Sequence, residues 1–184
     1  MEAATAGRPA SLKLVTALLA GAAVAVALGV YGHVHDPSQK LIFTLFFKST
    51  IAMKVWLGTV AVAFAVVQVS TALWLYGRLP WQPAAWTGDV HRISGRLAFL
   101  FSLPVAYHCL WSLGFQDTTG RVLAHSLLGC AFYGAFVTKV TFVRSKGLPG
   151  AALPIAGGLT FAVLVAVWFT SAFWFIGEQG WPAL

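Results

Sequence analysis

Five long apolar runs constrain this chain more than any other feature of its sequence. They cover residues 14–31, 51–76, 92–113, 122–143 and 150–176. A run of about 18 or more apolar residues is long enough to cross the hydrocarbon core of a bilayer as a helix. Because lipid cannot hydrogen-bond the backbone, such a segment must satisfy its own amide groups as an α-helix. We therefore expect an all-α fold: an integral membrane bundle of five transmembrane helices, forming a single membrane domain over residues 1–184 with the lipid bilayer as its partner.

The composition excludes several other classes of protein. Hydrophobic residues make up 59% of the chain and charged residues only 9%, which lies outside the range of soluble domains. The net charge is +7, but the basic residues lie at the ends of the apolar runs, so no nucleic-acid partner is expected. The sequence contains no phosphate-binding loop, no G-x-S-x-G and no H-E-x-x-H motif. Cys109 and Cys130 lie inside predicted spans without C-x-x-C spacing, so we interpret them as packing residues.

The distribution of Lys and Arg predicts the orientation of the chain, because cytoplasmic loops carry the excess of positive charge. A cytoplasmic N-terminus gives eight basic residues on the inner side, namely Arg8, Lys13, Arg78, Arg92, Arg96, Lys139, Arg144 and Lys146. The outer side then keeps four, namely Lys40, Lys48, Lys54 and Arg121. We therefore expect a multi-pass protein of the cell membrane, a bacterial inner or plasma membrane, with its N-terminus in the cytoplasm and its C-terminus outside.

The N-terminal segment allows two interpretations. Residues 1–13 (MEAATAGRPASLK) are small, polar and basic, and an apolar run follows them, as in a secretory signal peptide. Residues 25–27 (AVA) imitate a cleavage site. The apolar run is long for a signal peptide, which favours the alternative, a first span that is retained.

Three of the five histidines lie in one predicted hairpin, residues 91–129. Ionisable side chains inside a membrane usually have a function, and imidazole is a common axial ligand of haem iron. His108 lies near the outer end of one helix and His125 near the outer start of the next, each roughly 6–8 Å below the helix end. The connecting turn is short, so these helices should be antiparallel neighbours. We expect His108 and His125 to bind one haem iron near the outer face.

Two basic residues are expected at a similar depth. Lys54 lies about one turn inside the second span, and Arg121 opens the fourth. Both are candidates to pair with haem propionates; the alternative for Lys54 is a side chain that snorkels to the lipid headgroups. Gln68, deeper in the second span, is expected to form an interhelical hydrogen bond. The fifth span carries no charge and is expected to be a packing helix.

The other histidines belong to different places. His91 is 17 residues from His108, about 25 Å along a helix, so the two cannot share one metal. It either ligates a second haem, lines a quinone site, or hydrogen-bonds headgroups or a carbonyl at the inner interface. His33 and His35 follow the first span as H-x-H, which could bind a divalent metal or supply a haem ligand; the alternative is a solvated loop.

Residues 41–47 are too short to cross the membrane and are expected to lie in its interface.

The stretches HRISGRLAF (residues 91–99) and AHSLLG (residues 124–129) resemble the histidine motifs that open helices in cytochrome b561-type and ferric-reductase-like membrane proteins. The resemblance implies a small helical bundle that holds b-type haem between pairs of histidines. Four histidines fall on the outer side and only His91 on the inner side, so one outer haem is expected and a second is left open. Over nearly its whole length, the chain is also similar to a family of uncharacterised five-span bacterial membrane proteins, which implies no function.

Two hypotheses follow for the function. The first is a membrane b-type cytochrome that passes electrons between a quinol pool and a redox partner at the outer face. This would make it a quinol- or cytochrome-linked membrane oxidoreductase, in which the haem supplies the redox chemistry and the protein supplies ligands and a low-dielectric pocket. The second is a non-redox membrane anchor, assembly subunit or small transporter whose histidines are structural.

Overall fold

The structure is a computed structural model that describes residues 9–38 and 43–184. Within these ranges the chain forms five long helices and no β-strand. They are α1 (Ala10–Val34), α2 (Thr50–Leu75), α3 (Thr87–Leu113), α4 (Gly120–Arg144) and α5 (Ala152–Gln179). Each is long and apolar enough to cross a membrane, so the predicted all-α bundle of five spans is confirmed. Of the basic residues used to predict the orientation, Arg8 and Lys40 lie outside the described residues.

Local sequence signals fix several helix ends. Ser49 and Thr119 precede α2 and α4, and the side-chain oxygen of each accepts a backbone N–H from the first turn of its helix. After α3, Gly114 adopts a φ of +70°, which glycine reaches at no steric cost. The next residue, Phe115, donates its N–H to the carbonyl oxygen of Gly32 at 2.6 Å. The loop between α3 and α4 is therefore tied to the end of α1.

Successive helices run in opposite directions, so the bundle has two ends. We call the end with the α3–α4 loop the His125 end, and the end where α3 begins the His91 end. Residues 43–47, predicted to lie in the membrane interface together with 41 and 42, form a turn at the His125 end. Phe46 in this turn is 82% exposed. Residues 41 and 42 lie outside the described part of the chain.

The helix α3 packs closely along α2, whereas α4 packs along α1 and α5. Toward α2, α3 presents Gly95 and Ala98, and Ala98 shares a buried cluster with Ala65. Small residues of this kind let two backbones approach. Toward α4, α3 presents Phe99, whose ring stacks on that of Phe136 with centres 4.2 Å apart. Large rings thus hold α3 and α4 apart. The two helices, expected to be antiparallel neighbours, face each other across a gap.

The helix α1 is held along α4 by a crossing of two glycines. A Cβ on Gly21 would lie 2.5 Å from the carbonyl oxygen of Gly134, and a Cβ on Gly134 would lie 2.6 Å from that of Gly21. At the same crossing, Thr138 donates its hydroxyl hydrogen to the carbonyl oxygen of Ala17 at 3.2 Å. The first apolar run is therefore part of the bundle in this structure.

We expect Gly21→Ala to destabilise the protein by about 1–3 kcal/mol, the usual cost of overpacking, because the new methyl group would overlap a backbone that cannot move aside. Gly29→Ala is the matched control on the same helix, since its Cβ would lie 3.9 Å from Cys130 Sγ, an ordinary contact. The free energy of unfolding, measured by titrating the purified protein with SDS, gives the comparison. Equal values for the two variants would contradict the close crossing.

Candidate functional site

A cavity of about 300 Å³ lies between α3 and α4 at the His125 end. Side chains of α2 and α5 complete its walls, and most of the lining is apolar. Three basic side chains reach it, namely Lys54, Arg121 and His125. A cavity with apolar walls and a few converging polar groups is the usual form of a small-molecule site. We refer to it as the His125 cavity.

His125 lines this cavity from α4 and is held from behind by Thr170 of α5. Its Nδ1 lies 3.2 Å from Thr170 Oγ1. The threonine oxygen also lies 3.0 and 2.9 Å from the carbonyl oxygens of Ala166 and Val167. Since carbonyls only accept, the hydroxyl donates to them and its oxygen accepts the Nδ1–H of His125. In the neutral ring the lone pair then lies on Nε2, which is the form in which imidazole binds metal ions.

Arg121 is anchored by the same threonine. Its Nη1 donates to the Thr170 carbonyl oxygen at 2.6 Å, and its guanidinium lies 3.7 Å from the centre of the Trp174 ring. Thr170 belongs to a π-helical turn of α5, residues 169–173, and α3 contains a second π turn at residues 108–113. Such wider turns are frequent at functional sites. One residue of a π turn therefore positions both the imidazole and the guanidinium that α4 contributes.

Lys54 brings a further basic side chain to the cavity, from α2. It forms no ion pair with any described residue, and no Asp or Glu is among the described residues that line the cavity. A cation in an apolar, membrane-embedded cavity is costly unless a negative charge accompanies it. The structure thus brings Lys54, Arg121 and His125 together, and their arrangement suits a ligand with an apolar body and anionic groups.

His108 does not point into this cavity. Its side chain is 1% exposed, and its Nε2–H donates to the carbonyl oxygen of Phe43 at 2.9 Å. The ring also meets that of Phe43 edge-on, with centres 5.0 Å apart. The next residue, Cys109, takes the position that lines the cavity. The structure therefore does not bring His108 to His125, because α3 directs His108 away from the cavity that His125 lines.

His91 links α3 to α2 at the other end of the bundle. Its Nδ1 lies 3.0 Å from the carbonyl oxygen of Gln68 and 3.2 Å from Thr71 Oγ1. This is the carbonyl hydrogen bond that one interpretation of His91 expects. The side-chain amide of Gln68, predicted to form an interhelical hydrogen bond, makes none with the described residues; its backbone carbonyl has that role instead. No second histidine of the chain lies at this end, so a bis-histidine site is not formed here.

His33 and His35 contact separate aromatic groups. The His35 Nε2–H donates to the carbonyl oxygen of Trp111 at 3.2 Å, and its ring centre lies 4.7 Å from that of Trp111. His33 meets Phe115 edge-on at 6.3 Å. Among residues 9–38 and 43–184, no three His, Cys, Asp or Glu side chains come together. The structure therefore gives no support to a divalent-metal site at the H-x-H segment.

Thr170 and Trp174 are the site residues that the sequence-based prediction misses. Both lie in α5, which carries no charge in its apolar run and was expected only to pack. A threonine or tryptophan in an apolar helix is usually a packing or interfacial residue, so neither gives a distinctive signal. Only their depth, near the end of the span that lies beside Arg121 and His125, could have indicated a role.

The chain belongs to a family of unknown function (DUF6529), whose match covers residues 14–183. No curated protein and no solved structure matches it. The family match agrees with the expected similarity to an uncharacterised family over nearly the whole chain. The resemblance to cytochrome b561-type and ferric-reductase-like proteins finds no support in these comparisons and stays a prediction.

We expect Thr170→Val to lower the free energy of unfolding by about 1–3 kcal/mol, because it removes the hydroxyl oxygen that accepts the Nδ1–H of the half-buried His125. Thr160→Val is the matched control in the same helix. Its hydroxyl also donates to a carbonyl one turn earlier, that of Ala156, but receives no imidazole. SDS titration of both variants measures the difference. A larger loss for Thr160→Val would contradict the anchoring role of Thr170.

Proposed function

We propose that this member of the DUF6529 family is a membrane electron-transfer protein that holds one b-type haem in the His125 cavity. The observation that carries the proposal is the His125 imidazole, which gives its Nδ1–H to Thr170 and lines an apolar cavity. Haem iron takes an imidazole nitrogen as an axial ligand. A hydrogen bond at the other ring nitrogen fixes the orientation of such a ligand and raises its basicity.

Other groups of the cavity suit the rest of a haem. Lys54 and Arg121 would balance the negative charge of the propionates. Gly129 lies one helical turn from His125, and nothing lies within 4 Å of the position that a Cβ there would take, which leaves room beside the helix for a flat ring. When bound, the haem supplies reversible one-electron transfer; the chain supplies the ligand, the charge balance and the dry surroundings.

The proposal assigns one histidine to this haem, His125. His108 is the second ligand expected from the sequence, but its Nε2–H is engaged by the Phe43 carbonyl and its ring is buried on another side of α3. We therefore propose that His108 has a structural role: its hydrogen bond to Phe43 holds the segment before α2 against α3. His91 and the H-x-H pair have no part in this site.

A reduced-minus-oxidised spectrum and a pyridine haemochrome measurement on the purified protein test the proposal. We expect the wild type to bind about one b-type haem per chain and His125→Ala to lose at least about tenfold in occupancy, because the axial ligand is gone. We expect His108→Ala to lower the thermal stability of the protein while its folded fraction keeps the haem.

Two results would count against these assignments. Loss of haem from folded His108→Ala would restore the two-histidine ligation expected from the sequence. If the wild type binds no haem after expression with ample haem supply, the electron-transfer function fails. The non-redox alternatives, an anchor, an assembly subunit or a small transporter, would then take its place.

We further infer that the His91 end faces the cytoplasm and that the haem lies near the outer face. Among the described residues, the His91 end carries seven basic residues, namely Lys13, Arg78, Arg92, Arg96, Lys139, Arg144 and Lys146. The His125 end carries three, namely Lys48, Lys54 and Arg121. Positive charge concentrates on the cytoplasmic side. A redox partner would then approach from outside, and a quinol pool in the cell membrane would exchange electrons with the haem.

A reporter that is active only outside the cytoplasm checks this orientation. Fused after Leu184, it should be active; inserted after Gly147, in the α4–α5 loop, it should be silent. The reverse pattern would place the haem site at the cytoplasmic face, and activity at both positions would contradict five spans with the N-terminus inside.

A further inference from the structure

A second group of polar side chains lies in the same bundle, near the His91 end. It surrounds a cavity of about 20 Å³ to which α2, α3, α4 and α5 all contribute. Its polar members are Gln68, Lys139 and Thr160, and Gly95 forms part of its wall. None of its described lining residues is acidic. It shares no polar residue with the His125 cavity and does not depend on haem.

Lys139 is a half-buried basic residue without a partner among the described residues. It lies five residues before the end of α4, about 7–8 Å inside the span. Within the described part of the chain its ammonium group makes no hydrogen bond, no ion pair and no contact over an aromatic ring. A charge at this depth is compensated by a counter-ion or by the headgroup region, or else the group gives up its proton.

Gln68 presents a second unsatisfied group to the same cavity. Its side-chain amide packs against Gly95, where even one added carbon would overlap it. Its backbone carbonyl is fixed by the Nδ1–H of His91, so this part of α2 is held in place. The amide itself has no hydrogen-bond partner among the described residues. The hydroxyl of Thr160 donates to the carbonyl of Ala156 and is not free to donate into the cavity.

We propose that this cavity binds one monatomic anion, chloride or a similar halide, between Lys139 and the amide of Gln68. The two donors and the absence of a carboxylate among the lining residues select negative charge. The volume of about 20 Å³ exceeds the roughly 10–15 Å³ that a single water needs, and it is too small for an organic acid or a phosphate group. Four phenylalanines share the lining, and aromatic ring edges carry partial positive charge: Phe99, Phe132, Phe136 and Phe161.

The test compares the thermal stability of the full-length protein in sodium chloride and in sodium gluconate at equal ionic strength, followed by tryptophan fluorescence. Gluconate is too large to enter. For the wild type we expect a saturable rise of Tm on the order of 2–4 °C that is specific to chloride, because an anion bound only to the folded state stabilises it. Bromide should give the same rise.

Two pairs of variants separate this site from a general salt effect. Lys139→Met should abolish the chloride increment, whereas Lys48→Met, which removes an exposed lysine, should retain it. Gly95→Ala should also abolish it by displacing the Gln68 amide, whereas Gly158→Ala has nothing within 4 Å of the new methyl group and should retain it.

The wild type alone can overturn the proposal, whether or not the variants fold. Absence of a saturable chloride-specific rise means that the cavity holds water or nothing. An equal increment in Lys139→Met and Lys48→Met means that Lys139 reaches the lipid headgroups instead. Because the measurement involves no haem, its outcome is independent of the function proposed above.

Discussion

Close backbone approach at small residues decides where this bundle is tight and where it is open. In lipid there is little hydrophobic drive to pair helices, so their association depends on packing and on hydrogen bonds. At Gly21 and Gly134, α1 packs closely against α4. At Gly95 and Ala98, α3 packs closely against α2. The two tight pairs leave α3 and α4 facing each other across stacked rings, and the His125 cavity is the space that results. The site is therefore a consequence of which helix faces carry small residues.

The described polar side chains of the His125 cavity include three basic residues and no acidic one, because the chain has few acidic residues. The chain has five acidic residues, and the four that the structure describes lie near the ends of spans or in loops: Asp36, Asp89, Asp117 and Glu178. Lys54 and Lys139 enter spans that contain no carboxylate to meet them. The only ion pair among the described residues joins Arg92 to Asp89 on the same helix at the surface. In the proposals above, charge balance inside the bundle therefore comes from a bound ligand, an anion or a lipid headgroup.

The spans and the depth of each polar residue could be predicted from the sequence, because run length and rise per residue determine both. Lys54, Arg121 and His125 do share a level and a cavity. The rotation of the helices around the His125 cavity could not be predicted, since their turns at this depth are apolar on nearly all sides and polarity does not mark a buried face. This is why His108, at the expected depth, turns toward Phe43 while its neighbour Cys109 lines the cavity. The role of Thr170 could not be predicted either, because only its hydrogen bonds to Arg121 and His125 distinguish it from a threonine that packs.

The π turn that contains Thr170 has a consequence for how this chain tolerates change in length. A π turn contains one residue more than an α-helical turn, so removing one residue from it would leave an α-helical turn and keep the segment after it on nearly the same face. Trp174 lies beyond the turn and covers Arg121 in the present register. Elsewhere in α5 the helix rotates by about 100° for every residue, so a single deletion there would turn Trp174 away from Arg121. The π turn, Thr170 apart, should therefore accept the loss of one residue more readily than the rest of this span.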